Sequence, residues 1–344
     1  EINIGDWSSD VCSSDLLDET FGGFPTPAPA GTTYIPHIAG GTFEKVYGLV
    51  LQSDGKIIIA GVANDLGTNH CALARLLQDG TPDPTFGGFP APAPAGTTYI
   101  PTITGGNAEI HGVIIQSDGK IVVTGVTVDG GVNRFFVARF LSDGSLDTTF
   151  GGFPTPAPAG TTYLNTFAGV GYAVHELSNG KILCTGFNQT LSTYVAMRLL
   201  SSGALDTTFG QNGITTIKAV KGLGLASLAF DSTLQPDGSL ILGGISSDGG
   251  ANNYFSLARI FSNGLVDTTF GGFLPLANSG TSYVPAATLS GLSTALKIQS
   301  DGKIVLAGHQ ITAGPEYKFA FARFTNNYTL ATYKDEYPNQ GGFY

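Results

Sequence analysis

The chain has 344 residues, 42% hydrophobic and 12% charged, so it can bury a substantial core and is not predicted to be disordered. Its formal net charge is −10 at pH 7, and its few arginines recur mostly in one repeated position, which argues against a nucleic-acid-binding surface. No apolar run approaches the roughly 18 residues of a membrane span. The 49 glycines, with many Thr, Ser, Asn and Asp residues, predict short strands joined by tight turns.

The first 16 residues resemble the translation of a sequencing-library adapter, and we expect them to be non-native. They contain the only tryptophan, Trp7, and one of the three cysteines, Cys12. We expect residues 17–333 to form one domain of five repeats, followed by a C-terminal tail at 334–344. The remaining cysteines, Cys71 and Cys184, fall in different repeats and are predicted to be buried thiols.

A recurring segment that ends in Thr-Phe-Gly sets the period of the chain. Its phenylalanines are separated by 65, 64, 59 and 61 residues and are Phe21, Phe86, Phe150, Phe209 and Phe270. Each copy contains four extended segments, in the first copy 32–38, 47–52, 56–62 and 71–77. Four strands in a unit of about 60 residues are typical of a propeller blade. The predicted fold is therefore all-β, a β-propeller of about five four-stranded blades.

Turn residues and a proline-rich insert complete the repeat. Asp-Gly or Asn-Gly between the second and third segments predicts a tight hairpin, as at Asp54-Gly55. The third segments are continuously apolar, as expected for strands buried on both faces. The inserts at 23–31, 88–96 and 152–160 alternate Pro with small residues, and we expect them to be stiff connectors between blades.

An arginine and an aspartate recur eight residues apart near the end of each repeat. Alternation places the arginine on an apolar face of its strand, where an unpaired charge is costly. We therefore predict structural ion pairs that tie the turn to its own blade, with no catalytic role. The pairs are Arg75 with Asp83, Arg139 with Asp147, Arg198 with Asp206, and Arg259 with Asp267.

The same slot raises the question of ring closure. Arg323 has Ala331 in the aspartate position, whereas Asp18 has no preceding arginine. If the ring closes on five blades, the segment 17–22 completes the last blade and Asp18 meets Arg323. The alternative is that the chain is a fragment of a larger ring.

These motifs together resemble the delta-60 repeat family of bacterial β-propellers. The resemblance rests on Gln116 to Ile121, Ala138-Arg139 and Leu146 to Gly151, which recur at fixed offsets over most of residues 17–333. It implies an exported or cell-surface protein without established chemistry, and it supplies no catalytic residues.

The search for chemistry in the sequence finds no nucleophile elbow, phosphate loop or metal-ligand spacing. We therefore expect no enzyme activity, no cofactor and no metal, and predict an exported bacterial module for binding or surface display. The alternatives are a lectin-like glycan-binding propeller, or a propeller hydrolase or lyase with a site at the channel mouth. A protein or glycan partner would bind the variable loops, because recognition usually sits on loops held by a rigid scaffold. The candidate residues in these loops are Asn64, Asn69, Asp129, Asn133, Asn188, Asp248, Asn252 and Glu316.

Overall fold

The fold was analysed in a computed structural model, which describes most of the chain between residues 18 and 326. The described ranges are 18–23, 28–35, 44–65, 67–88, 93–100, 106–153, 157–219, 227–247, 253–272, 277–284, 290–311 and 317–326. The predicted tail at 334–344, the first 16 residues, and the loop residues Asp248, Asn252 and Glu316 lie outside these ranges.

The described chain forms strands that group into five antiparallel sheets, which we call blades one to five. Blade one contains β1 (Glu44–Leu51), β2 (Ile57–Asp65), β3 (Thr68–Leu76) and β4 (Thr97–Ile100). Blade two contains β5 (Ala108–Ile115), β6 (Ile121–Asp129), β7 (Val132–Phe140) and β8 (Thr161–Tyr163). Blade three contains β9 (Gly169–Glu176), β10 (Ile182–Asn188), β11 (Thr193–Leu199) and β12 (Ile214–Ile217). Blade four contains β13 (Ser227–Leu234), β14 (Leu240–Ser247), β15 (Asn253–Ile260) and β16 (Thr281–Tyr283), and blade five contains β17 (Ser290–Ile298), β18 (Ile304–Ile311) and β19 (Tyr317–Phe324).

Each blade is a meander in which consecutive strands pair with each other. The first strands of successive blades pack together, β1 on β5, β5 on β9, β9 on β13 and β13 on β17. These strands therefore lie on the inner side of the arrangement, and the short fourth strands lie at the outer edge. Sheets of this kind arranged around an axis are the architecture of a β-propeller, as predicted.

The boundary of a blade differs from the boundary of the sequence repeat. The segment taken as the first strand of a repeat pairs with the third strand of the preceding sheet, as β4 pairs with β3. The proline-rich insert that precedes β4 thus connects two strands of the same sheet. The prediction that it joins different blades is wrong, because the short outer strand forms only after the chain has passed the insert.

The hydrophobic core lies between the blades. Phe135 and Val137 on β7 share one buried cluster with Val174 on β9 and Cys184 on β10. We call the side of a blade that packs on the next one its outgoing face and the opposite side its incoming face. Strands between two blades are buried on both faces, as β14 is along almost its whole length.

The two ends of the array have uncovered faces. In the incoming face of blade one, Leu49 is 59% exposed and Leu51 is 67% exposed. Val113, which occupies the slot of Leu49 in blade two, is only 9% exposed. In the outgoing face of blade five, Phe319 is 92% exposed, whereas its counterpart Phe135 is fully buried. Among the described residues, β17 and β1 do not pack together as the other first strands do.

Two further features follow from the fold. Cys71 and Cys184 are buried and free, and burial raises the pKa of both thiols. Within the described part of the chain, no helix has the length and apolar composition needed to cross a bilayer.

Candidate functional site

The arginine and aspartate of the repeated slot are joined in four blades. In each pair, arginine Nε donates to aspartate Oδ2 at 2.7–2.8 Å. The guanidinium also lies over the repeat's phenylalanine, 4.6–4.7 Å from the ring centroid. These contacts give the buried charge both a hydrogen-bonded partner and a favourable aromatic face. We call this arrangement the clasp.

The clasp also reaches the next blade, which the sequence did not predict. Arg139 Nη1 donates to the carbonyl oxygen of Ser201 in blade three at 2.7 Å. Arg75 and Arg198 make the same bond to Ser142 and Ser262. The arginine thus joins its own turn to the turn of the following blade, and the clasp is a structural element between blades.

Three aspartates of the clasp, Asp83, Asp147 and Asp206, have lowered pKa values. Burial tends to raise the pKa of Asp83, but hydrogen bonds from Thr85 and Lys56 and the charge of Arg75 hold it well below its ordinary value. Asp147 and Asp206 have lowered pKa values for the same reason, with burial opposed by hydrogen bonds from Thr149 and from Lys181, respectively. In these three blades the carboxylate of the clasp is paired with arginine and lies close to a lysine.

Asp18 and Arg323, the residues proposed to close the ring, do not pair with each other in the described part of the chain. Asp18 is exposed, and its Oδ1 accepts hydrogen bonds from Thr20 N and Oγ1 at 2.9 and 2.5 Å. No ion pair joins Asp18 to Arg323 in the described ranges. In the described residues the incoming face of blade one and the outgoing face of blade five are both exposed, so of the two alternatives the structure does not show closure on five blades.

The polar side chains of the predicted binding loops bond within their own turns or to the next blade. Asn64 Nδ2 donates to Asn69 Oδ1 at 2.8 Å, and the buried side chain of Asn188 accepts at Oδ1 from Leu191 N at 2.9 Å in the turn 188–191, whose other residues are exposed. Asp129 lies 3.7 Å from Arg134, and Asn133 reaches the next blade at Gln189. These polar groups therefore stabilise turns and neighbouring blades.

A row of aromatic rings follows the inner strands, and sequence reasoning missed it. A β-bulge interrupts each first strand at the same slot, which holds Tyr47, His111, Tyr172, Phe230 and Thr294. The first four of these residues form a continuous row. The ring centroids of Tyr47 and His111 are 5.1 Å apart, those of His111 and Tyr172 are 4.7 Å apart, and those of Tyr172 and Phe230 are 5.1 Å apart. We call it the axial aromatic row.

A glycine opposite each bulge makes the row sterically feasible. Gly125 faces the residue before His111, and a Cβ atom there would collide with the carbonyl oxygen of Glu109. Gly61, Gly186 and Gly244 have the same relationship to the other bulges. This glycine recurs in the third segment of every repeat and was the available sequence signal for the bulge.

A polar cluster surrounds the first rings of the row. Glu109 Oε1 accepts from Asn69 Nδ2 at 2.8 Å, and Glu109 Oε2 lies 3.8 Å from His111 Nε2. The hydrogen bond from His111 lowers the pKa of Glu109 despite its partial burial. Burial and the charge of Glu109 raise the pKa of Tyr47, which is 44% exposed. An ionised carboxylate, an imidazole, an amide and an exposed ring are thus brought together.

The cluster does not form a metal site. No group of three or more His, Cys, Asp or Glu side chains in the described part of the chain is arranged to hold a metal ion. The hydrogen-bond acceptors and aromatic surface of the cluster suit an organic ligand that carries both hydroxyl groups and apolar faces.

The arrangement of the sheets and the sequence repeat define the protein as a β-propeller built from repeats. A comparison with known protein families agrees with this. The β-propeller domain of unknown function DUF5122 matches four segments, 52–86, 116–150, 235–270 and 299–330. Each segment contains the hairpin turn and the third strand of the sequence repeat, and the first three also contain a clasp. No curated protein matches the chain.

Several solved structures are similar in fold. A protein of unknown function from Dyadobacter fermentans has a TM-score of 0.45 and 11% identity, with 85% of this chain and 82% of that chain covered. A glucose dehydrogenase has a TM-score of 0.43 and 9% identity, with 83% and 84% covered. The β-xylosidase/α-arabinofuranosidase CoXyl43 from a compost microbial metagenome has a TM-score of 0.39 and 13% identity, with 85% and 93% covered.

The prediction that the protein is not an enzyme is contradicted by these likenesses, since a dehydrogenase and a glycosidase are among them. Short catalytic motifs are absent from the sequence, but their absence does not exclude a site assembled by the fold. In a propeller, residues from separate blades meet at the axis, as Tyr47, Glu109 and Tyr172 do, and no local spacing announces them. At such low identity the likenesses concern the fold and transfer no activity to this chain.

Proposed function

We propose that the protein binds a carbohydrate at the axial aromatic row, with Tyr47 and Glu109 as the principal contacts. The observation that carries this proposal is the convergence of three aromatic side chains and an ionised carboxylate from three successive blades. The C–H groups of a sugar ring pack on aromatic surfaces, while its hydroxyl groups donate to a carboxylate. This is the chemistry that the cluster presents.

The electrostatics support a neutral or cationic sugar. Glu109 is ionised at neutral pH because its pKa is lowered, and the net charge of the chain is −10. An acidic polysaccharide would be repelled by this charge. Asn69 fixes the orientation of the carboxylate, so the acceptor is pre-organised before the ligand binds.

Binding is tested by calorimetry with neutral oligosaccharides selected on a glycan array. We expect Tyr47→Ala to weaken binding about tenfold or more, a loss typical of an aromatic contact in a binding site. Tyr34→Ala is the matched control, because Tyr34 is an exposed tyrosine outside the row. If no sugar class binds, or if Tyr47→Ala binds as the unmodified protein does, the proposal is wrong.

Hydrolysis or elimination of the bound sugar is a second candidate, and the pairing of Glu109 with His111 favours it. An ionised carboxylate beside an imidazole can act as a general base. We expect Glu109→Gln to abolish turnover of a neutral aryl glycoside, while the amide keeps an acceptor for the sugar hydroxyl groups and weaker binding of the same sugar persists. Binding without turnover in the unmodified protein would exclude this candidate and leave carbohydrate binding intact.

We also propose that the repeats are of the delta-60 type and that the protein is exported or displayed at the cell surface. The repeated motif at 116–121 and 146–151 supports the first proposal, and the resemblance to that family implies the second. Fractionation of the native host with an antibody against blade two tests the location, and recovery in the cytosol would contradict it.

A further inference from the structure

The four internal blade interfaces share one construction. The outgoing face presents the residues two and four positions before the clasp arginine, which in blade two are Val137 and Phe135. They pack against the first strand of the next blade, where Val174 is 4% exposed. Every such interface joins an outgoing face to an incoming face.

The ends of the array present the two halves of this same interface. Phe319 and Phe321 occupy the outgoing slots of blade five and are 92% and 73% exposed. Leu49 and Leu51 occupy incoming slots of blade one and are 59% and 67% exposed. Large uncovered apolar faces mark association surfaces, and these two are complementary to each other.

The segment at 18–35 adds an independent observation. Gly22 N donates to Asp79 O at 2.6 Å, and Thr33 Oγ1 donates to Gly80 O at 2.7 Å, both on the turn of blade one. Between blades two and three, Gly151 N and Thr162 Oγ1 bond to Ser202 and Gly203 in the same way. There the donating segment belongs to the preceding blade. The described residues 18–23 and 28–35 therefore lie where the outer part of a preceding blade lies at the internal interfaces.

We infer that copies of this chain associate head to tail, the outgoing face of blade five of one copy packing on the incoming face of blade one of the next. Residues 18–23 and 28–35 of the second copy then lie beside blade five of the first, whose described part has three strands. In this arrangement Asp18 stands in the aspartate slot that follows Arg323 of the neighbouring copy. Both faces are exposed in the folded chain, so the contact can form without unfolding either copy.

A contact between two different faces is heterologous, and this determines what the assembly can be. After two copies pair, each keeps one open face and the pair as a whole keeps one of each kind, so association continues until a ring closes or a filament grows. A dimer that buries the same face on both copies would lack the complementarity of the internal interfaces.

The test measures the mass of the full chain by sedimentation and light scattering, at concentrations from about 1 to 100 µM. We expect the average mass to rise with concentration beyond that of a dimer. Phe319→Asp and Leu49→Asp should each reduce association by about tenfold or more, because each places a charge in the apolar contact. Leu191→Asp, on the β10–β11 turn, is the control and should associate normally.

Mixing the two variants distinguishes this contact from general loss of folding. The Phe319→Asp chain keeps an intact blade one face, and the Leu49→Asp chain keeps an intact blade five face. A mixture should therefore form dimers that grow no further. A monomeric unmodified chain, a mixture that stays monomeric, or undiminished association of either variant alone would overturn the inference.

Discussion

Blade two and blade five present the same strand pattern to different surroundings. Phe135 on β7 and Phe319 on β19 both stand four residues before the clasp arginine, yet one is fully buried and the other is 92% exposed. The difference comes from the next blade, which covers β7 and is missing from the described surroundings of β19. In a repeat protein, burial is thus a property of neighbouring units and is not encoded in the unit alone.

The largest expected effect is the difference in stability between a variant that lacks the Phe135 ring and one that lacks the Phe319 ring. Phe135→Ala deletes a fully buried ring and should lower the free energy of unfolding by about 4 kcal/mol, through lost burial and the cavity that remains. Phe319→Ala removes a ring that contacts little in the single chain and should leave the free energy of unfolding almost unchanged. Urea unfolding measures this quantity for both variants, at a protein concentration too low for the copies to associate. Similar losses in the two variants would mean that blade five is covered in solution.

The clasp provides the next comparison. Asp147→Asn leaves Arg139 buried with a neutral partner and should cost about 3 kcal/mol, since breaking a buried ion pair strands a charge. Asp18→Asn is the matched control, because Asp18 occupies the same slot but is exposed. Thermal unfolding of the dilute protein should shift for the first variant only. An unchanged melting temperature for Asp147→Asn would show that the Ser201 contact and the phenylalanine suffice to hold Arg139.

A smaller effect is expected at the interface between blades three and four, whose contribution to stability should depend on pH. His175 of blade three contacts Ser232 of blade four at 2.8 Å, and burial together with the charge of Lys297 lowers its pKa to about 4. The folded state therefore binds the proton less readily than the unfolded state, where the ordinary value is 6.5. The protein therefore loses no stability through His175 above pH 6.5, and the free energy of unfolding declines as the pH falls from 6.5 towards 4.

The slope contributed by His175 is at most about 1.4 kcal/mol per pH unit. Urea unfolding of the unmodified protein and His175→Gln across this range isolates the contribution, because the other titrating groups are common to both. The variant should show a shallower decline. Parallel profiles would mean that His175 is accessible to protons in the folded protein.

The sequence was most informative where the determining contacts are local. Asp54-Gly55 supplies a hairpin because glycine adopts a positive φ, here 80°. The eight-residue spacing of Arg139 and Asp147 brings the two together because a single tight turn separates them. Enzyme activity, by contrast, was judged from short motifs, and that judgement failed because side chains of different blades meet only through the fold.

By itself, the sequence determined the all-β class, the period, the hairpins and the charge pairs, because each depends on residues close together in the chain. Only the tertiary structure decided which sheet receives the outer strand, and that Tyr47, His111 and Tyr172 form one row. It also decided that the faces carrying Leu49 and Phe319 stand open. These features depend on packing between residues about 60 positions apart, and such packing is fixed by the arrangement of whole blades.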